Sequence, residues 1–200
     1  VADLHSLNAI RDKQLIKSYT YEEVATFLAL GLNTEKAILF RQSDIPEIYQ
    51  LCTLLMNVTA KGLMNRAHAY KASVDKNLES GNDPDAGINM GLYTYPILMA
   101  ADILLYQSDV VPVGKDQKQH VEFARDICGS FNNAYDKEVL VTPEPVIQDI
   151  ANAIPGLDGR KMSKSYDNTI PIFLEPNQLK KLVMKIITDS KLQEEHKDTN

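Results

Sequence analysis

Val111-Pro-Val-Gly-Lys-Asp-Gln117 reads as a buried strand, a glycine turn and the opening of a helix. Strand runs over 109–113, Gly114 makes the turn, and apolar periodicity predicts a helix over 117–131. The same alternation recurs on both sides. Upstream, Thr20 and Glu23 form a capping box ahead of Val24, Phe27 and Leu28, with Gly31 as the stop. Ala37–Phe40 reads as a short buried strand. Pro46 opens a helix reaching about Asn57, and a further helix covers about 61–73. Residues 75–89 read as a polar loop, followed by a helix over Tyr95–Tyr106. Downstream, Val139–Val141 is a weaker strand, and Pro143, Pro145 and Pro155 punctuate the approach to a basic stretch. Pro176 opens a last helix with Leu179, Leu182, Val183 and Ile186 on one face. Strands alternating with helices predict α/β architecture with a parallel sheet. The composition shift at Glu175–Pro176 marks the expected domain boundary. Val1-Ala-Asp reads as the end of a strand, and the chain reads as a fragment of a longer one.

Bulk properties narrow the class. The 200 residues are 44% hydrophobic and 24% charged, enough for one globular domain with a sizeable core, or one and the start of another. No run approaches the roughly 18 apolar residues of a membrane span. Cys52 and Cys128 lie far apart without metal-ligand spacing and read as buried free thiols of a reducing compartment. His68, His120 and His196 read as polar surface residues, and no histidine and carboxylate pair has the spacing of a zinc site. The net charge of -6 argues against a nucleic-acid-coated protein, though it leaves room for a local basic patch.

Three groups of residues carry chemistry. On the helix 95–106, Leu98, Ala101 and Leu105 share an apolar stripe, while Tyr95, Met99 and Asp102 share another by i, i+4, i+7 spacing. A carboxylate on an apolar flank needs a donor, because burying it unpaired is costly. A flat aromatic ligand bearing one N–H satisfies the whole stripe, since thioethers pack well on aromatic rings. The same spacing also fits an Asp102 that faces water or pairs with a structural arginine. Beyond the carboxyl end of the strand 109–113 lies the crevice where open α/β sheets bind ligands. Gly114 would let backbone approach a nucleotide, Asp116 could accept from ribose hydroxyls, and Gln117 can donate or accept. Capping by Asp116 is the plainer reading of that residue. Neither phosphate-loop nor dinucleotide glycine spacing is present. His5 follows a strand end and could line the same crevice.

The third group is Gly159-Arg-Lys-Met-Ser-Lys-Ser165. Arg160, Lys161 and Lys164 place three cations on one short loop of an acidic chain. A polyphosphate suits them, because ammonium groups act as mobile point charges for phosphate oxygens. A solvated basic turn is the alternative. Gly156 and Gly159 would let the loop close on a triphosphate and open to release pyrophosphate.

The order Lys-Met-Ser-Lys-Ser (161–165) is the second signature loop of class I aminoacyl-tRNA synthetases. With Val-Ala-Asp-Leu-His-Ser-Leu (1–7), Gly91 to Tyr106 and Val111 to His120, it makes nearly the whole chain resemble bacterial tryptophanyl-tRNA synthetase. The resemblance implies a Rossmann-like parallel sheet flanked by helices. Residues 1–175 would be the catalytic domain, without its first strand and His-Ile-Gly-His-like segment, and 176–200 the start of the α-helical anticodon-binding domain. It implies a tryptophan site of Asp102, accepting the indole N–H, with Met99, Val111, Val113 and His5 around the ring and Tyr95 and Gln117 on the amino group. It implies an ATP site of Gly114, Lys115, Asp116 and Ile154, with Lys161 and Lys164 on the triphosphate as catalytic cations. Met162, Ser163 and Ser165 would shape that loop, and Lys71 would assist with phosphates. No protein-bound metal is implied.

The implied reaction is attack of the tryptophan carboxylate on the α-phosphorus of ATP, assisted by Mg²⁺, then transfer to tRNA(Trp) in a cytoplasmic homodimer. The fragment itself, lacking the upstream motif, is expected to bind tryptophan weakly and not to activate it. Rival readings are a tyrosine-activating relative, a non-catalytic nucleotide- or RNA-binding module on a synthetase-like fold, and another adenylyl-transferring α/β enzyme.

Overall fold

Val1 is tied to the segment 40–42: its amino group donates to Phe40 O at 2.7 Å and its carbonyl accepts from Gln42 N at 2.9 Å. That is the bonding of a parallel bridge, so the strand end expected at Val1 has a parallel neighbour. The structure, a computed structural model, describes residues 1–147, 154–163 and 166–186, with Asp116 by its backbone alone. Ala37–Phe40 forms no regular strand, and Ile38 is 91% exposed rather than buried. One bridge supplies too little ladder to bury that segment, and only Phe40 packs against the core.

Two compact units divide the chain, Val1–Ile147 and Gln148–Asn200. The first opens with the single-turn helix α1 (Asp3–Ser6) and with α2 (Lys13–Ala29). Helix α2 starts seven residues before the expected capping box. Asp12 is its N-cap and accepts from Gln14 N and Leu15 N, while Thr20 sits inside and turns its hydroxyl back to Ile16 O. A carboxylate at the first orphaned amides competes better than a threonine mid-helix. The stop holds: Gly31, at φ +93°, closes a Schellman turn with Leu32 N donating to Phe27 O and Gly31 N to Leu28 O.

After a 3₁₀ turn (Gln42–Asp44), α3 runs Pro46–Met56 with the proline at its first turn, as expected. The helix predicted over 61–73 is two, α4 (Lys61–Met64) and α5 (His68–Glu79). The side chain of Gln119 separates them, accepting from His68 N and donating to Arg66 O. Helix α5 extends into the predicted loop, whose remainder is organised by Asn77 Nδ2 donating to Pro84 O and Ala86 O.

Helix α6 (Met90–Leu104) is capped by Asn89 and begins earlier than expected, with Gly91 and the buried Pro96 tolerated inside it. Its buried residues are Pro96, Ile97, Ala100, Ala101, Ile103 and Leu104, a face wider than the stripe read from spacing. Two small alanines let α3 pack closely on one side and α7 (Lys118–Ala134) on the other, around Ile48, Leu55, Leu104, Ile127 and Phe131. Full burial of a side chain such as Leu104 is worth about 1.5–3 kcal/mol.

Strands β1 (Val110–Val113) and β2 (Glu144–Ile147) form a parallel pair in the register Val110 with Glu144 to Val113 with Ile147. The bond from Glu144 N to Asp109 O fixes which groups face across. Pro112 and Pro145 therefore turn their missing donors away from the ladder. The strand expected at Val139–Val141 lies further on, because Asn132 takes the amides of Val139 and Leu140 and Gln107 takes that of Val141. The result is a helix-rich α/β arrangement with a small parallel sheet. Cys52 and Cys128 are buried free thiols, as expected. Among the described residues no helix is long and apolar enough to cross a membrane. In the second unit the described residues include an antiparallel bridge of Pro155 with Lys161 and helix α8 (Pro176–Val183), which stops before Ile186.

The two capping sites separate in a stability test. Asp12→Ala should lower unfolding free energy by about 1 kcal/mol, and Thr20→Ala by less than about 0.5. Urea titration of both variants checks this; the larger loss at Thr20 would restore the capping box.

Candidate functional site

Asp102 stands on the flank of α6, and its donors come from elements distant in sequence. Gln42 Nε2 donates to both carboxylate oxygens, at 3.0 and 2.8 Å, and His5 Nε2 lies 3.0 Å from Oδ2. A carboxylate only accepts, so that histidine nitrogen carries the proton. Gln42 is 3% exposed, and its other end accepts from Leu4 N at 3.1 Å. The glutamine is thus fixed at both ends and aims its amide at Asp102. No arginine shares this carboxylate among the described residues, so the structural-arginine reading is not realised.

Tyr95 lies two turns earlier on the same helix. Its ring meets His5 edge-on at 6.3 Å and His120 at 5.3 Å, and its hydroxyl is 3.3 Å from His120 Nε2. Burial raises the Tyr95 hydroxyl above its ordinary range. His120, expected at the surface, is half-buried against this tyrosine. His5 and Tyr95 also line a cleft of about 360 Å³ with Tyr49, Cys52, Met56 and Leu98, within the range of about 300–1,000 Å³ of small-molecule sites. Burial, and secondarily the Asp102 charge, push the Cys52 thiol up to about 11. A larger cleft of about 590 Å³ lies along α2, between Lys13, Lys17, Arg41 and Asp44. It contains none of the expected site residues, and size alone assigns it no chemistry.

Met99 and Val111 pack against the core from its edge, and Val113 is half-buried on the same side of β1 as Val111. Beyond β1, Gly114 has φ −67° and ψ 157°, so the turn itself does not require glycine. Lys115, Asp116 and Gln117 form a 3₁₀ turn that leads directly into α7, with Lys115 exposed and Gln117 half-buried. Lys71 is exposed on α5.

The second unit carries the basic loop. Ile154, 67% exposed, accepts from Met162 N, and Gly156 N donates to Arg160 O. Lys161 is exposed, while Met162 and Ser163 are half-buried. Lys164 and Ser165 lie outside the described residues, as does His196. Both glycines are required by the shape of the loop. Gly159 takes φ +77°, and a Cβ on Gly156 would come within 2.4 Å of the Asn168 amide. Asp158 accepts from Asn168 Nδ2 at 2.7 Å and from Arg160 Nε at 2.7 Å, and the Arg160 guanidinium lies 4.8 Å from the Tyr166 ring centroid. The Asn168 hydrogen bond, then those of Arg160, hold the Asp158 carboxyl at about 2.

Comparison with known proteins identifies the family. The family model described as tRNA synthetases class I (W and Y) matches residues 1–200. The chain belongs to this family. It is 56% identical over 200 residues to the tryptophan--tRNA ligase of Pseudomonas aeruginosa, covering 99% of the chain and 45% of that relative. It is 54% identical over 198 residues to the same-named protein of Xylella fastidiosa, covering 99% of the chain and 46% of that relative. The chain thus spans about 45% of the length of these relatives. In structure it is similar to the tryptophanyl-tRNA synthetase of Campylobacter jejuni complexed with ADP and tryptophan, at TM-score 0.84 and 42% identity, over 99% of this chain and 59% of that one. A tyrosyl-tRNA synthetase of Archaeoglobus fulgidus, at 20% identity and TM-score 0.62 over 97% of this chain and 56% of that one, shares the fold alone. The structural neighbours of this class I family carry the Rossmann-like fold that the resemblance implies.

Sequence reading missed Gln42 and His120. Gln42 follows the carboxyl end of the segment read as strand 37–40, where the crevice rule points. His120 lies one turn after Gln117 on α7.

Asp158 offers a titration test. Its folded value, about 2, lies below the ordinary 3.8, so its contribution is present above that ordinary value and lost as pH falls through about 2. A carboxyl-carbon NMR titration should place the Asp158 midpoint near 2, and Asn168→Ala should raise it. A midpoint in the ordinary range would end the hydrogen-bonded reading of this loop.

Proposed function

We propose that this chain is part of a tryptophan--tRNA ligase. The carrying observation is the Asp102 carboxylate, aimed by buried Gln42 on a flank shared with Tyr95. Among the described residues Oδ1 accepts from Gln42 alone, while Oδ2 also meets His5. Oδ1 therefore has capacity for one more donor, and the indole N–H of tryptophan has the right chemistry. Identity of 52–56% to proteins named tryptophan--tRNA ligase supports the same reading.

In this reading His5, Met99, Val111 and Val113 surround the ring, and Tyr95 and Gln117 hold the amino group. Gly114, Lys115, Asp116 and Ile154 take the adenosine end of ATP, the partner suggested by the ADP-bound relative. Lys161 and Lys164 bind the triphosphate, on a loop shaped by Met162, Ser163 and Ser165. The tryptophan carboxylate attacks the α-phosphorus, its new bond to phosphorus forming as the bond to the bridging oxygen breaks. Pyrophosphate leaves with that electron pair, and the aminoacyl group then passes to the 3′ end of tRNA(Trp). No protein nucleophile is needed, so catalysis is positioning and stabilisation of developing charge. Among the described residues no three His, Cys, Asp or Glu side chains gather as metal ligands. In this reading Mg²⁺ enters as the counter-ion of the ATP substrate. The reading includes residues 1–175 as the catalytic domain, 176–200 as the start of the helical domain, a cytoplasmic location and a homodimer.

Rejection of other amino acids follows from the same carboxylate. A hydrogen bond to a charged acceptor contributes about 1.5–3 kcal/mol, and phenylalanine would leave that acceptor empty. The test is ATP–pyrophosphate exchange by the whole protein with tryptophan, tyrosine and phenylalanine in turn. Tryptophan should be preferred by orders of magnitude; preference for tyrosine, or exchange with neither, overturns the assignment. Asp102→Ala should weaken tryptophan binding about tenfold or more while ATP affinity stays within about twofold, measured by calorimetry. Lys164→Ala should lower the rate of adenylate formation far more than ground-state ATP affinity, which stopped-flow kinetics separates.

A further inference from the structure

We propose that Asn168 is a positioning residue: its side chain clasps both arms of the basic loop and fixes the backbone that carries Lys161 and leads into Lys164. Asn168 is 2% exposed. Its Oδ1 accepts from Ser163 N at 2.7 Å, and its Nδ2 donates to Lys161 O at 3.1 Å and to Asp158 Oδ1 at 2.7 Å. Its backbone carbonyl accepts from Leu157 N at 3.0 Å. The buried side-chain amide therefore reaches the descending arm at Asp158 and the ascending arm at Lys161 and Ser163, and the backbone carbonyl adds Leu157. Gly156 is pressed against that amide, leaving no room for a Cβ.

The bonds fall where the loop's cations need them. Lys161 O and Ser163 N bracket Met162, and Lys164 follows Ser163 directly in the chain. A lysine stem is flexible, so the direction of its ammonium depends on where its own backbone is held. Asp158 completes the clasp from the far side, with Arg160 as its second partner. Neither Asn168 nor Asp158 carries charge of the sign a polyphosphate needs. Their contribution would be preorganisation: the loop reaches its anion already shaped, and less ordering entropy is lost on binding.

The consequence for catalysis rests on the function proposed above, and two readouts keep the two ideas separate. The first needs no activity. Asn168→Asp sets a carboxylate against Asp158 and Lys161 O, removing both Nδ2 donations. Limited trypsin cleavage after Arg160 and Lys161 should become about tenfold faster or more, because the loop opens more often. The second is pyrophosphate exchange by the whole protein: kcat with tryptophan should fall about tenfold or more while KM for tryptophan stays within about twofold.

The double variant Asp158→Asn with Asn168→Asp exchanges amide and carboxylate across the bond and should recover both readouts in part, a coupling that merely additive damage cannot produce. If Asn168→Asp lowers the melting temperature of the whole protein, Asn168→Ser takes its place with the same readouts. Wild-type cleavage and wild-type kcat in the single variant, or a double variant no better than the sum of its parts, overturn the clasp. If the wild-type protein exchanges pyrophosphate with no amino acid, the proposed function fails, and the cleavage arm alone decides the role of Asn168.

Discussion

A carboxylate beside the buried face of a central helix is the constraint around which the first unit is arranged. Helix α6 buries Ile97, Ala100, Ala101 and Leu104 between α3 and α7, and that packing leaves Asp102 little freedom to turn away. The cost of burying such a group falls only when donors reach it. Gln42 supplies an amide held at both ends, and His5 supplies a ring N–H. Those two donors sit on opposite sides of the bridge that ties Val1 to residues 40–42. Local pairing at the start of the chain therefore sets the geometry of a carboxylate about a hundred residues later.

The two units reach order by different means. The first rests on apolar burial: Ile48, Leu55, Leu104, Ile127 and Cys128 are fully buried. The described part of the basic loop in the second rests on hydrogen bonds. It is held by one buried amide, one carboxylate and close glycine packing. Such polar order is directional and leaves Arg160 and Lys161 exposed, whereas a core would have to bury the lysine stem. That difference suits the proposed roles, a fixed ring pocket in one unit and an exposed Lys161 in the other.

Much of this was legible in residue order. An apolar run ending at Gly114 marked strand β1, Pro46 marked the start of α3, and apolar residues at helical spacing marked α6. Boundaries were less legible where a distant side chain intervenes. Gln119 splits the helix expected at 61–73, and Asn132 takes the amides of the strand expected at 139–141. No local pattern announces either, since both partners lie beyond any periodic window. The capping box at Thr20 had the right residue types, yet Asp12 offered a stronger acceptor earlier in the chain.

Within the candidate sites, spacing on α6 placed Tyr95, Met99 and Asp102 on one flank, and the order 161–165 marked the basic loop. Both are properties of a few consecutive turns or residues, so sequence alone determines them. What satisfies Asp102 was decided by tertiary structure, because Gln42 and His5 arrive through packing. The same holds for Asn168: a polar residue just past a loop looks like any surface asparagine until the chain folds back and buries it against Gly156. Periodicity reports which residues share a surface, and only the folded chain decides which donor meets which acceptor.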